Sequence, residues 1–426
     1  MSALKHVLLI TYYWPPAGGP GVHRWLRFSK YFHENGYQLH VYCPKDAAWP
    51  IIDPELNSQV DSNIIEVRNS IFEPHKFLGK KNNPNVGGGL TQNNKSSAIQ
   101  KLIIWTRGNL FIPDARVFWI KPSTRFLKKY LKDNPQIQTV ISTGPPHSLH
   151  VIALKLKQKL NFKWIADFRD PWTEIDFYED LNIGKWADSK QKSLEKACLQ
   201  KADEVITVSK SCAEGLERIG GREVKVITNG YDFPEFDATK IELDSKFSIA
   251  HFGSMPASRN PEVVWKALSQ LVSENEALKQ KLEIKLFGPV DYSIFESLKE
   301  NGLDEFVSHV EMLKHSESIE AQRKVQLLLL VANNTGNVKG ILTGKFFEYL
   351  GAKRPILAVG EKISDLEDAV NNTNCGKFFD YNEVEACKRF LLESFYLFQE
   401  QKLAVETKNL AQFTSKNLAK EVCDLC

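Results

Sequence analysis

A rhythm that the sequence runs through twice constrains this chain more than any single residue does. In the first half, short apolar runs at residues 7–11, 39–42, 139–142, 163–166, 204–208 and 225–228 alternate with stretches of helical periodicity. Val22, Trp25, Ser29 and Phe32 fall on one helical face, and Gly36 stands where such a helix stops. The pattern lapses after Tyr231 and restarts at residues 247–252, then continues at 282–287, 325–331 and 355–359. The run at 325–331 is apolar throughout, as expected of a strand covered on both faces. Strands alternating with helices build βαβ units around a parallel sheet. The expectation is therefore an α/β protein of two domains, at 1–235 and 245–400, joined through the aperiodic stretch at 231–245.

Two segments break the rhythm. Residues 79–98 are polar and rich in Gly and Asn, which predicts a loop. Residues 101–132 are rich in Lys, Arg, Trp and Phe. A membrane surface or an acceptor would suit such residues, but a pair of ordinary amphipathic helices with aromatic core positions is the preferred reading.

Composition narrows the class. Hydrophobic residues make up 42% and charged residues 25%, as in ordinary globular proteins. The formal net charge of +3 is nearly balanced and argues against a nucleic-acid partner. The seven cysteines are odd in number and widely spaced, which fits a reducing cytoplasm better than a disulfide framework. Cys423 and Cys426 form a C-x-x-C pair with no second pair to close a zinc site, so no metal is expected. No charged region followed by an apolar stretch opens the chain, so no signal peptide is expected. No apolar window is long enough to span a bilayer, which leaves peripheral contact at the inner face of the plasma membrane as the only membrane option.

Four loops follow predicted strands and carry chemistry. The first contains Gly18-Gly19-Pro20-Gly21 ahead of a helix, where backbone amides and the helix N-terminus attract anions. It lacks the G-x-G-x-x-G dinucleotide fingerprint, which disfavours a Rossmann dehydrogenase. The second carries His147 and His150, placed to line a crevice at the carboxyl ends of strands. The third is Asp167-Phe168-Arg169-Asp170, read either as a site or as a mutual Asp–Arg salt bridge. The fourth is the block at 340–357, in which Lys345 and Glu348 share a helical face. Lys345 there suits a diphosphate and Glu348 suits sugar hydroxyls, against the plainer reading of a surface ion pair.

Taken together these residues resemble the GT4 family of glycosyltransferases, which have the GT-B fold. The likeness rests on Gly18-Gly19-Pro20-Gly21, on Ile227-Thr228-Asn229-Gly230-Tyr231-Asp232, on His251-Phe252-Gly253-Ser254 and on the block from Lys345 to Leu357. They occur in the expected order over nearly the whole chain. The resemblance implies two facing Rossmann-like domains with parallel sheets, and a C-terminal helix near 405–426 that crosses back to the first domain. It implies a retaining, metal-independent transfer from a UDP- or GDP-sugar to a saccharide or lipid-linked acceptor, with no cofactor. The acceptor would lie on the first domain and the donor mainly on the second. Glu348 would bind the nucleotide ribose, and Lys345 with Arg259 the diphosphate. Gly18, Gly19, Gly253 and Ser254 would complete the donor site. Asp167, Arg169, Asp170 and His147 would be the catalytic set.

Two departures matter. The family's E-x7-E motif would place its first Glu at 340, where this chain has Gly340. The donor sugar would then be held by backbone amides of Gly340, Ile341, Leu342 and Thr343. Arg169 stands where the family often has a His. A nucleotide-sugar epimerase of the same fold and an inactive nucleotide-sugar-binding protein are the alternatives.

Overall fold

The computed structural model describes residues 4–73, 105–175, 178, 181–232, 241–311, 313–334, 340 and 342–426. The predicted loop at 79–98 and the site residue Ile341 lie outside the described residues. The chain divides into two compact units, Met1–Gly230 with Ser415–Cys426, and Tyr231–Thr414. Each is built on its own parallel sheet.

In the first unit the strands are β1 (Lys5–Ile10), β2 (Tyr37–Pro44), β3 (Ile65–Asn69), β4 (Ile137–Gly144), β5 (Lys163–Phe168), β6 (Glu204–Thr207) and β7 (Lys225–Val226). Their order across the sheet is β3-β2-β1-β4-β5-β6-β7, all parallel. The helices are α1 (Pro20–Ser29), α2 (Val117–Asp133), α3 (Ser148–Lys157), α4 (Lys185–Lys201) and α5 (Lys210–Gly220). Successive side chains of a strand point to opposite faces. Leu8 and Ile10 accordingly join one core with α2, α3, α4 and α5, while Val7 and Leu9 join another with α1. The chain winds one way from β1 to β3 and the other way from β4, so the carboxyl ends of β1 and β4 flank the switch point where such sheets bind ligands.

The second unit repeats the plan. Its strands β8 (Phe247–Phe252), β9 (Leu282–Phe287), β10 (Val307–Val310), β11 (Leu327–Val331), β12 (Ile356–Val359) and β13 (Gly376–Phe379) lie in the order β10-β9-β8-β11-β12-β13. Helices α6 (Glu262–Glu274), α7 (Glu276–Lys281), α8 (Tyr292–Glu300), α9 (His315–Lys324), α10 (Gly344–Ala352), α11 (Asp365–Thr373) and α12 (Val384–Gln399) cover it. Here the switch point lies between β8 and β11. β11 is buried along its whole length, as its unbroken apolar run predicts.

The last helix, α13 (Ser415–Asp424), belongs to the first unit. Leu418, Ala419, Val422 and Cys423 enter the core beside α1. Tyr37 donates from its hydroxyl to Cys423 O at 2.9 Å, and Thr139 Oγ1 to Cys426 O at 3.1 Å. Burying Leu418 and Val422 contributes about 1.5–3 kcal/mol each, enough to fix a helix of three turns. Cys423 and Cys426 are both free thiols, and burial raises the Cys426 thiol to about 12. Among the described residues no group of three potential metal ligands forms, and no helix is long and apolar enough to cross a membrane.

Candidate functional site

At the switch point of the first unit the charged residues are committed to the fold. Asp167, at the end of β5, is fully buried. Its carboxylate accepts from Arg24 Nε at 3.2 Å and Nη2 at 3.1 Å, from Trp25 Nε1 at 2.7 Å and from Thr143 Oγ1 at 2.8 Å. The salt bridge of Asp167 therefore runs to Arg24 on α1. Arg24 continues to Thr228 O at 2.7 Å, which ties the Asn229-Gly230 turn to the same network. Arg169 donates to Gly21 O at 2.6 Å, to Gly144 O at 3.2 Å and to Pro145 O. One guanidinium thus braces the loops after β1 and β4. Asp170, one residue on, is exposed.

The two histidines are packed as rings. His147 stacks on Trp172 at 4.7 Å, and His150 on Phe168 at 4.1 Å. Trp164 Nε1 donates to Ser142 Oγ at 2.9 Å, and Ser142 Oγ is hydrogen-bonded to His150 Nδ1 at 2.8 Å. Burial and the nearby Arg169 push His150 down to about 3, and burial with His150 and Arg169 pushes His147 well below its ordinary value. Both rings are neutral near pH 7. Gly144 is required between them, since a Cβ there would sit 2.6 Å from His150 Nε2 and 3.1 Å from His147 Nδ1.

The glycine loop after β1 is likewise self-contained. Gly18 N–H donates to Ile51 O at 2.9 Å, and Gly19 adopts φ +83°, which favours glycine. Beside it lies a buried trio the sequence did not single out. Tyr12 donates to Glu73 Oε1 at 2.7 Å, Arg116 Nη2 donates to the Tyr12 hydroxyl at 2.9 Å, and Arg116 pairs with Glu73 at 3.3 Å.

In the second unit the predicted residues converge. Lys345, in the first turn of α10, donates to Ser254 O at 3.3 Å, and Arg259 Nη1 donates to the same carbonyl at 3.1 Å. Arg259 Nε also donates to Asn333 Oδ1 at 2.6 Å, at the end of β11. The strand-end loops of β8 and β11 and the start of α10 therefore meet around one carbonyl. Glycines make the approach possible. Gly253 has φ +97°, and a Cβ there would lie 2.6 Å from Lys345 Cε. Gly288 has φ +111°, and a Cβ there would lie 2.9 Å from the Gly253 carbonyl carbon.

His251, quoted in the likeness but given no role by sequence reasoning, closes the floor. Its Nδ1 faces Leu329 O at 3.1 Å and so carries the proton, which turns the Nε2 lone pair to Lys345 Nζ at 3.5 Å. Burial and the Lys345 charge hold His251 at about 3. Burial and the Arg259 guanidinium push the Lys345 ammonium down to about 7, against a smaller upward pull from Glu348. Glu348 sits half-buried one turn along α10. Leu342 is buried, Thr343 stands at the N-cap of α10 with a buried Oγ1 that makes no capping hydrogen bond, and Leu342 N–H donates to Gly340 O at 3.1 Å. The helix N-terminus adds partial positive charge to the two cations. The group stands at the switch point of the second unit.

No family model matches the chain, and no curated protein matches it by sequence. Solved structures do. A sucrose-phosphate synthase from Thermosynechococcus elongatus superposes with a TM-score of 0.62 at 14% identity, covering 99% of this chain and 98% of that one. The lipopolysaccharide outer core galactosyltransferase WaaB superposes at 0.58 and 11% identity, over 99% and 98%. A point mutant of S. aureus TarM, in complex with Fondaparinux, alpha-GlcNAc-glycerol and UDP, superposes at 0.59 and 11% identity, over 99% of both chains. A Listeria monocytogenes protein described as a UDP-N-acetylglucosamine 2-epimerase also matches, at 0.53 and 10% identity over 99% and 95%. Likeness over the whole chain shows the fold: α/β, with two Rossmann-like parallel-sheet domains of the GT-B kind.

Proposed function

We propose that this protein is a glycosyltransferase that moves a sugar from a nucleoside-diphosphate sugar to a saccharide acceptor. The observation that carries the reading is the meeting of Lys345 and Arg259 on Ser254 O at the start of α10. Two cations and a helix N-terminus stabilise the charge that grows on a departing diphosphate. Glu348, one turn further along α10, accepts from the nucleotide ribose. The backbone amides of Gly340 to Thr343 take the sugar contacts that the family assigns to the absent first Glu. Transfer with retention of configuration follows from the resemblance to the GT4 family, and UDP or GDP is the nucleotide. The complex of TarM with UDP supports a nucleotide on this fold.

The first unit holds the acceptor, a growing cell-surface glycan or lipid-linked saccharide. Asp167 and Arg169 act there as positioning residues, because their partners are the chain's own groups. Asp170 is the exposed member of the set, available for acceptor contact, and His147 lies buried behind it against Trp172. Thermal-shift titration with UDP-, GDP- and ADP-sugars tests the reading, since ligand at about 100 times its Kd adds about 2.7 kcal/mol of stability. Stabilisation by one nucleotide class, lost in Lys345→Ala, is the expected result. No stabilisation by any of them refutes the donor site. Conversion of a UDP-sugar to its epimer without acceptor replaces transferase with epimerase.

A further inference from the structure

Arg107 stands apart from the other arginines of the first unit. Residues 105–110 are helical, and Arg107 lies half-buried among them. Arg24, Arg27, Arg68, Arg116, Arg169 and Arg222 each donate to a carboxylate, a hydroxyl or a carbonyl. Arg125 and Arg218 are exposed. Arg107 makes no hydrogen bond or ion pair among the described residues. Its backbone, by contrast, is pinned. Asn109 donates from Nδ2 to Trp105 O at 2.8 Å and to Asn182 O at 3.1 Å, and its Oδ1 accepts from Gly184 N–H at 2.7 Å. Gly108 fits so closely that a Cβ there would lie 2.8 Å from Leu181 O. A fixed backbone that holds a partly desolvated guanidinium away from any acceptor is costly, and cations so placed are ordinarily paired.

The groups that act on Arg107 stand where β1 and β4 end, at the switch point of the first unit. Burial first and the Arg116 guanidinium second push Arg107 below its ordinary value, against smaller upward pulls from Asp114 and Tyr13. The two acids of this corner are engaged. Glu73 accepts from the Tyr12 hydroxyl at 2.7 Å and pairs with Arg116 at 3.3 Å. Asp114 accepts from Ser148 N–H at 2.7 Å and Oγ at 2.8 Å, at the start of α3, and from Arg116 N–H at 2.8 Å. Tyr13 is half-buried, with its ring against the start of α1: a Cβ on Gly21 would lie 2.9 Å from Tyr13 Cδ2. The Arg169 guanidinium lies 6.0 Å from the centre of the same ring. The Tyr13 hydroxyl makes no hydrogen bond among the described residues. Two unused donors, one charged and one neutral, therefore share this corner with the positive end of α1.

We propose that Arg107, with the Tyr13 hydroxyl as second donor, receives an anionic group of the acceptor, a phosphate or carboxylate carried by a saccharide. The proposal rests on the reading that the first unit holds the acceptor, and it adds the acceptor's charge. A guanidinium presents parallel N–H donors that match the oxygens of either group. An anion there also supplies the counter-charge that Asp114 and Glu73, turned to other partners, do not, and it offsets the repulsion from Arg116. A neutral sugar hydroxyl leaves that repulsion in place.

The test is isothermal titration of the full chain with glucose 6-phosphate, glucuronate and glucose, each with and without UDP. The two anionic sugars separate phosphate from carboxylate, and glucose reports the neutral frame. The expected result is that one anionic sugar or both bind at least about tenfold more tightly than glucose, the advantage shrinking with salt. Arg107→Gln is expected to weaken that binding about 10- to 150-fold, the range of a hydrogen bond to a charged group. Tyr13→Phe is expected to weaken it less. Arg107→Lys keeps the charge without the fork and should fall between the wild type and Arg107→Gln. The melting temperature of Arg107→Gln should equal or exceed that of the wild type, because the change removes an unpaired cation. A clear fall in melting temperature would mark a structural bond instead and overturn the proposal. Anionic sugars that bind no better than glucose, or that bind Arg107→Gln as they bind the wild type, would also overturn it. So would displacement of the sugar phosphate by UDP, since the anion would then occupy the diphosphate site of the second unit. The donor reading fails separately, on UDP that does not bind, whatever the Arg107 variants do.

Discussion

The Lys345 ammonium offers the sharpest test, because its protonation is poised where pH can be varied without harm. In the free protein, burial and Arg259 hold it at about 7. A diphosphate beside it favours the charged form and raises that value, so the donor binds with uptake of a proton. The sign follows. Below pH 7 the lysine is already charged and affinity is full. Above pH 7 the free protein must first bind a proton, and affinity falls. For one group titrating at 7, affinity falls about tenfold between pH 6 and pH 8, a change of about 1.4 kcal/mol. His251 stays neutral across this range, being held at about 3. The assay is isothermal titration of UDP-glucose from pH 6 to 8.5 in buffers of different ionisation enthalpy, which reads affinity and proton uptake together. Lys345→Arg keeps a permanent charge and should flatten the profile. Arg259→Gln removes a like charge and should move the inflection to higher pH. A wild-type affinity that does not change between pH 6 and 8, or an equal slope in Lys345→Arg, would sink the assignment of Lys345 to the diphosphate.

Glu348→Ala should weaken nucleotide-sugar binding by about 1.5–3 kcal/mol through loss of a charge-assisted acceptor, measured as a donor Kd. An unchanged Kd removes Glu348 from the site. Lys345→Ala and Arg259→Ala should each lower turnover with little change in melting temperature, and the double variant should lose less than the sum, because both groups serve one diphosphate. Strict additivity would place them on separate ligands. Arg24→Ala should destabilise the first unit by about 3–5 kcal/mol in chemical denaturation, since it strands the buried Asp167 carboxylate. A loss below about 1 kcal/mol would mean that Trp25 and Thr143 suffice to hold that charge.

Interior strands were legible because both of their faces are covered, so their residues read as apolar runs. β1, β4, β8 and β11 are of this kind. The strands that went unread, β3, β10 and β13, all stand at sheet edges. In β3 only Val67 is buried, and β10 has no buried residue at all. With so few inward positions, β3 and β10 carry little periodicity to detect, and β13, though it buries Phe378 and Phe379, is only four residues long. The site divides in the same way. Spacing on one helix relates Lys345 to Glu348, but the contact that aims Lys345 is Ser254 O, 91 residues away. Likewise the neighbours of Asp167 in sequence are Arg169 and Asp170, while its partner Arg24 lies 143 residues back. Pairings made by a parallel sheet join the ends of distant strands, and local pattern does not encode them.

The two switch points, alike in topology, use their cations in opposite ways. In the first unit Arg24 is spent on Asp167, Arg116 on Glu73 and Tyr12, and Arg169 on three backbone carbonyls. Each of these contacts fixes a loop against a neighbour, and the glycine turn adds Gly18 N–H bound to Ile51 O. The product is a rigid rim shaped by the chain's own acceptors. In the second unit Lys345 and Arg259 share a carbonyl, and the imidazole of His251 and the amide of Asn333 help to orient them. The lowered value of Lys345 records the cost of holding it beside Arg259. If the donor site is the one proposed, an arriving diphosphate relieves that cost, whereas an anion reaching Arg24, Arg116 or Arg169 at the first rim meets cations already bound to the chain's own acceptors.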